Sequence, residues 1–205
     1  DSTNSLQRNG DFDSHSASDF IFVAPTTIGL QNASLTTPFS LAGTSPTTAG
    51  IGYNTHPNGF DVTLYKANIL VGSLDTAESV IADPAKQSYT TSETAPFINY
   101  FSTGNSAHYN THVTFPGLTI GTDVDNFVIE ALATLLIPEA GDWTFGVNSD
   151  DGFGLELTNG SDTFTSSHPT PRGPGDTLST FNVTTPGAYD VRLIMYERGG
   201  GASVE

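Results

Sequence analysis

The chain has no cysteine and only 6 lysines and arginines among its 205 residues. The first absence removes disulfides, thiolate zinc sites and thiol nucleophiles together. The second sets 6 basic residues against 22 acidic ones, for a formal net charge of −16 and an isoelectric point near 4.2. Nucleic acids are held by lysine and arginine on phosphate, so they are excluded as partners. Attraction to anionic lipid headgroups fails for the same reason. Long apolar runs are missing too. None approaches the about 20 residues of a spanning helix, so no membrane insertion is expected.

What is present is enough for a core. Hydrophobic residues make up 36% of the chain and aromatic ones 10%, so the charge does not imply disorder. Glycine, threonine and serine are abundant while lysine is confined to Lys66 and Lys86, a composition that points to a secreted or cell-surface protein. The first residue is Asp1 rather than methionine, which reads as a processed N-terminus or an arbitrary boundary; whether Asp1 and Glu205 are natural termini stays open.

Residues 1–50 differ from the rest. Two apolar islands, Phe20-Ile21-Phe22-Val23 and Pro38-Phe39-Ser40-Leu41, stand among serine, threonine, asparagine, glycine and proline, and residues 43–50 read as a loop or linker. This segment is an N-terminal extension of strand-like pieces, which either packs as edge strands or pairs with a neighbouring chain. Residues 51–205 form the main domain. A single helix is expected over Ser73–Ala82, capped by Ser73 or Asp75 and stopped by Asp83-Pro84, with Leu74, Ala77, Val80 and Ile81 on one side. From Asp125 onward the pattern changes to strands. Phe127–Ile137 is β-rich, Trp143, Phe145 and Val147 alternate with polar or small residues, and so do Phe153, Leu155 and Leu157. Asn159-Gly160 predicts a hairpin turn, and Tyr189, Val191, Leu193 and Met195 share one face of a later strand. Glycines 199–201 break the chain before a last strand at Ala202–Glu205. Short strands at regular spacing indicate an all-β sandwich or barrel.

The sharpest local feature is Asn148-Ser149-Asp150-Asp151-Gly152, between two expected strands. Adjacent carboxylates repel, and in extended backbone they point to opposite faces. Bringing both to one point takes a bend and a compensating cation, and a hard, oxygen-seeking ion such as calcium suits the residues present. The plainer reading of Asp-Asp-Gly in so acidic a chain is a solvated turn.

Context adds to this. The run from Ile137 through Asp150-Asp151-Gly152 to Leu155 resembles the PA14 family. So does Pro186-Gly187-Ala188-Tyr189-Asp190-Val191-Arg192-Leu193 followed by Tyr196-Glu197-Arg198-Gly199-Gly200-Gly201-Ala202, in the same order and spacing. Weaker likeness reaches back to Gly59–Tyr65, so the resemblance covers about residues 55–205. It implies an antiparallel β-sandwich of the PA14 type. In the lectin-like members two consecutive aspartates joined by a cis peptide bind calcium, and a second loop supplies an amide side chain and main-chain carbonyls. Asp150 and Asp151 stand at the first positions. Glu197 stands at the second in place of the amide, with carbonyls from Gly199 and Gly201. The glycines leave room for carbonyls to turn inward. Arg198 raises an alternative, a salt bridge to an aspartate that leaves no metal. Relatives of this kind read glycans through vicinal hydroxyls on the calcium, which here implies a rim from the Thr165–Asp176 loop with His168 and Arg172, and Arg198 beside it.

Enzymatic readings find no support. His108 and His112 have the spacing of a zinc-protease pair, but no glutamate follows the first and the setting is not helical, so both are expected as exposed loop residues. No nucleophile elbow or complete phosphate loop occurs. Asp123-Val124-Asp125 and Asp11-Phe12-Asp13 begin like calcium loops but lack the glycine and terminal glutamate. Sequons stand at Asn32, Asn159 and Asn182. The expectation is therefore a non-catalytic, Ca2+-dependent module for glycans or surface polysaccharide, or an accessory domain of a larger enzyme. The competing expectation is a structural subunit of an extracellular filament or layer that self-associates through its N-terminal extension.

Overall fold

Side chains that alternate between core and solvent specify strands buried on one face; among the described residues the chain forms twelve strands and one α-helix. The structure, a computed structural model, describes the backbone of residues 5–8 and 20–23 and, in full, residues 59–104, 108 and 112–205. The expected linker at 43–50 and the island at 38–41 lie outside the described residues. The chain divides into two units, residues 1–40 and 41–205. In the first, β1 (Ser5–Arg8) and β2 (Phe20–Val23) pair antiparallel with Ser5 opposite Val23.

The second unit holds two sheets. The larger has six strands in the order β4 (Gln87–Ala95), β3 (Phe60–Ala67), β6 (Phe127–Ile137), β11 (Gly187–Glu197), β8 (Phe153–Thr158) and β9 (Thr163–His168). The smaller has four: β10 (Gly175–Val183), β7 (Gly141–Asp150), β12 (Ser203–Val204) and β5 (Tyr100–Phe101). Neighbouring strands are antiparallel throughout. One core joins the sheets: Val62, Leu64, Ile129, Phe153, Leu157, Tyr189 and Met195 from the larger, and Tyr100, Val147, Phe181, Val183 and Val204 from the smaller. The fold is an antiparallel β-sandwich.

The helix covers the other face of the larger sheet. Helix α1 (Leu74–Ala82) starts at Ser73, whose hydroxyl accepts the Thr76 N–H as an N-cap, and it ends at Asp83 before the 3₁₀ turn Pro84–Lys86. Ala77 and Val80 pack on Val71, Val128, Ile194 and Tyr196 in a second apolar cluster. A charged clamp holds the helix beside it. Arg192 on β11 reaches both oxygens of Glu78 on α1, at 2.7 and 2.8 Å, and Glu130 on β6 at 2.6 Å. The Tyr65 hydroxyl closes the group on Glu130.

Two connections differ from expectation. Strands β8 and β9 are joined by four residues, 159–162, instead of a two-residue turn. Asn159 Oδ1 accepts the N–H groups of Ser161 and Asp162, so its side chain does the work of a tighter backbone turn. Asp162 then takes hydrogen bonds from Thr184, the Thr185 N–H and the buried Tyr189 hydroxyl, which ties this loop to the β10–β11 turn. The segment expected as one loop at Thr165–Asp176 is half strand. Residues 163–168 continue β9 and β10 begins at Gly175, because Phe164 packs on the core and the backbone pairs with β8 and β7, leaving only 169–174 as loop.

Cutting the Arg192 clamp leaves Glu130 half-buried without its cation. Arg192→Ala is expected to lower stability by about 1–3 kcal/mol, read as a lower urea midpoint with an unchanged slope, and Arg192→Lys recovers part of the loss.

Candidate metal centre

Strand β7 ends at Asp150 and β8 begins at Phe153, so the chain reverses through Asp151 and Gly152. The Asp150–Asp151 peptide bond is cis. Gly152 is required by packing: a Cβ there would run into the His168 carbonyl and the Tyr196 ring. Asp151 is buried and holds three segments together. Its Oδ1 accepts the Arg172 N–H at 3.1 Å and its Oδ2 the Arg198 N–H at 2.8 Å, while its own N–H bonds to the Tyr196 carbonyl. Both donors to the carboxylate are main-chain groups, one from loop 169–174 and one from the segment after β11.

Glu197, the last residue of β11, is 0% exposed, and neither of its carboxylate oxygens has a hydrogen-bond partner. A buried carboxylate without donors or a cation is costly. Burial, then the charges of Asp151 and Asp150, push its pKa up to about 9; the Gly199 N–H pulls the other way without reaching bonding geometry. Asp150 behaves similarly. Burial and Asp151 raise it to about 6, opposed by the Arg172 charge. One oxygen from each of Asp150, Asp151 and Glu197 lies within 4.8 Å of the others. Among the described residues no other group of three such side chains converges this way. Three carboxylates crowded together, two reluctant to ionise and one without any donor, are the chemistry of a hard-cation site.

The remaining expected residues fall in different places. Gly199 and Gly201 lie in the loop after Glu197. Gly201 packs on Thr103, where a Cβ would strike the Thr103 carbonyl. Arg172 is not a rim residue. Its guanidinium turns inward to the Ser149 carbonyl, the Ser149 hydroxyl and the Thr177 hydroxyl, and sits 5.6 Å from the Phe153 ring centre. It braces the aspartate turn, because Ser149 in turn donates to the Asp151 carbonyl at 2.7 Å. The alternative salt bridge from Arg198 to an aspartate does not form, and Arg198 offers its main-chain N–H instead. His168 ends β9 half-buried, with Nε2 3.4 Å from the Thr170 hydroxyl. His108 is exposed as expected but pairs with Asp176 at 2.8 Å. His112 departs from expectation: it is half-buried, with its ring 4.3 Å from that of Phe101. Of the sequons, Asn159 is buried, Asn182 bonds Asp142 on the surface, and Asn32 lies outside the described residues.

Asp125 was missed. Its carboxylate lies against Gly199, its Oδ1 is 3.4 Å from the Gly200 N–H, and its charge adds to the upward push on Glu197. The Asp123-Val124-Asp125 run carries the signal, but it is incomplete as a self-contained calcium loop and its partner loop stands some 75 positions later.

A two-sheet antiparallel sandwich with three carboxylates gathered at one end defines an all-β module with an acidic loop site. The chain belongs to the PA14 domain family, whose sequence profile matches residues 86–205. Two solved structures share the fold. The PA14 domain of the MpAFP antifreeze protein matches with a TM-score of 0.50 and 18% identity, covering 72% of this chain and 79% of that one. A PA14 sugar-binding domain from an RTX adhesin matches with a TM-score of 0.50 and 19% identity, covering 72% and 86%. Among curated proteins no sequence matches.

Glu197 makes the stability of the metal-free chain depend on pH. The folded chain keeps this proton to about pH 9, whereas the unfolded chain releases it near the ordinary glutamate value. The contribution is therefore whole below that value and lost as pH rises towards 9. In chelator, urea midpoints are expected to fall between pH 5 and 9, and Glu197→Gln flattens that slope.

Proposed function

We propose that this PA14 domain is a non-catalytic, calcium-dependent carbohydrate-binding or adhesion module of a secreted or cell-surface protein. The observation that carries the reading is Glu197, fully buried with both oxygens lacking a donor and within ligand distance of Asp150 and Asp151. A side chain in that state calls for a cation, and an all-oxygen donor set suits calcium. Asp150, Asp151 and Glu197 would hold the ion with their side chains, and Gly199 and Gly201 with their carbonyls. The bound ion supplies open coordination positions that vicinal sugar hydroxyls complete. The chain's own part is positioning: Arg172 and Ser149 fix the aspartate turn, and the Arg172 and Arg198 N–H groups orient Asp151. The sugar-binding function named for the adhesin domain of the same fold supports this assignment.

Loading requires Glu197 to give up a proton held to about pH 9, so calcium affinity is expected to tighten as pH rises from 6 to 9. Calorimetry at pH 7.5 in two buffers of different ionisation enthalpy should register about one proton released per calcium. Glu197→Gln should abolish the release, and the double variant Asp150→Asn, Asp151→Asn should abolish calcium binding. Wild-type protein that takes up no calcium, and shows no chelator-sensitive signal on a glycan array, would end this reading.

A second reading has one observation in its favour. Among the described residues, the unit of residues 1–40 holds the β1–β2 pair, and a two-stranded ribbon by itself is marginal in water. Such a ribbon gains by adding to a sheet edge of a neighbouring copy, which makes the chain a subunit of an extracellular filament. Light scattering on the full chain and on a chain lacking residues 1–50 separates the two: assembly that vanishes with the truncation supports the filament, and a monomer in both cases counts against it.

A further inference from the structure

Basic side chains are scarce here, and four of the five among residues 59–205 are committed. Lys66 bonds the Ala67 carbonyl, Lys86 pairs with Asp83, Arg172 braces Ser149 and Thr177, and Arg192 clamps Glu78 and Glu130. Of those five only the Arg198 side chain has no partner among the described residues. It is exposed, and no carboxylate of the acidic site lies within ion-pair distance of it. Its position is nonetheless fixed at its root, because its N–H is bonded to Asp151 Oδ2. Asp151 also takes the Arg172 N–H, so the segment after β11 and loop 169–174 meet at this carboxylate, and the exposed Arg198 side chain springs from that junction.

We propose that Arg198 makes this a site for acidic sugars, its guanidinium taking the carboxylate of a uronic acid residue whose neighbouring hydroxyls meet the ion held by Asp150, Asp151 and Glu197. The inference rests on the calcium-dependent reading above and adds the ligand class. Three carboxylates outweigh a divalent ion, and Asp125 adds a further negative charge beside the loop. A uronate approaching such a site is repelled unless a cation meets it, whereas a neutral sugar needs none. Arg172, the other nearby cation, is spent on Ser149 and Thr177. Arg198 is the group left to do this, and a planar guanidinium matches a carboxylate with two parallel hydrogen bonds. Bound there, the uronate faces one cation and one positively charged fork, with the carboxylates beneath both.

The test uses matched methyl glycosides that differ only in the acid: galactose and galacturonate, glucose and glucuronate, mannose and mannuronate. Each is titrated into the calcium-loaded chain at low and at physiological salt. The expected result is a preference of about 3- to 10-fold for the acid in the pair or pairs that bind, shrinking with salt. Arg198→Gln is expected to bring the acid-to-neutral ratio to one or below, and Arg198→Lys to keep part of it. Calcium-dependent binding with no acid preference in the wild type, or a preference that survives Arg198→Gln, overturns this proposal and leaves the carbohydrate reading standing. Failure of every pair to bind the calcium-loaded chain overturns both.

Discussion

The site hangs on the carboxylate of Asp151. It is buried at the reversal between β7 and β8, and each of its oxygens is met by a main-chain N–H from a different loop. Remove those two bonds and loop 169–174 and the segment after β11 lose their common anchor, while the carboxylate is left buried without donors. The core of the sandwich sets where these segments arrive. Val147, Phe153, Tyr189 and Met195 are fixed by packing, and the strands that carry them bring Asp150, Asp151 and Glu197 to the same end. Asp151 turns that proximity into a defined geometry.

Against this ordered background, Glu197 stands out because it is unsatisfied. The fold satisfies Asp151 with N–H groups, Ser149 with Arg172, and Asp162 with a tyrosine and a threonine, but it leaves both Glu197 oxygens without a donor. In a native interior such an omission calls for an explanation. Without a cation the side chain avoids the cost of a buried charge by keeping its proton to about pH 9. The cation proposed to be shared with the two aspartates would use the charge that a carboxylate can supply there.

Most of the strands could be read from the chain, and the reasons are local. Strand β6 matches its β-rich run, α1 starts at its serine cap and ends before Asp83-Pro84, and β11 places Tyr189, Leu193 and Met195 on the core face that period two demands. The turn at 159–162 was misjudged because Asn159 acts through its side chain, a bond that a dipeptide signal does not contain. The 163–168 strand was hidden by its serines and threonines, since its pairing comes from neighbouring backbones more than from its own hydrophobicity. At the site, Asp150, Asp151 and Glu197 were legible through motif order. Asp125 was not, because its partner loop is distant in sequence and only the fold brings them together.

The fates of the two arginines show what a residue's neighbourhood in sequence leaves undecided. Arg172 and Arg198 both give a main-chain N–H to Asp151, so both backbones are fixed by the same carboxylate. Their side chains part there. Arg172 lies over the Phe153 ring with three of its nitrogens bonded to Ser149 and Thr177, which makes it part of the scaffold. The Arg198 guanidinium has no such contacts. Because the bonds to Asp151 come from the main chain, they place no demand on the side chain at either position, and the integrity of the acidic site is separable from the character of its rim. On the proposed reading, exchanging the exposed Arg198 side chain would change which sugars are preferred while leaving the carboxylates and their anchor untouched.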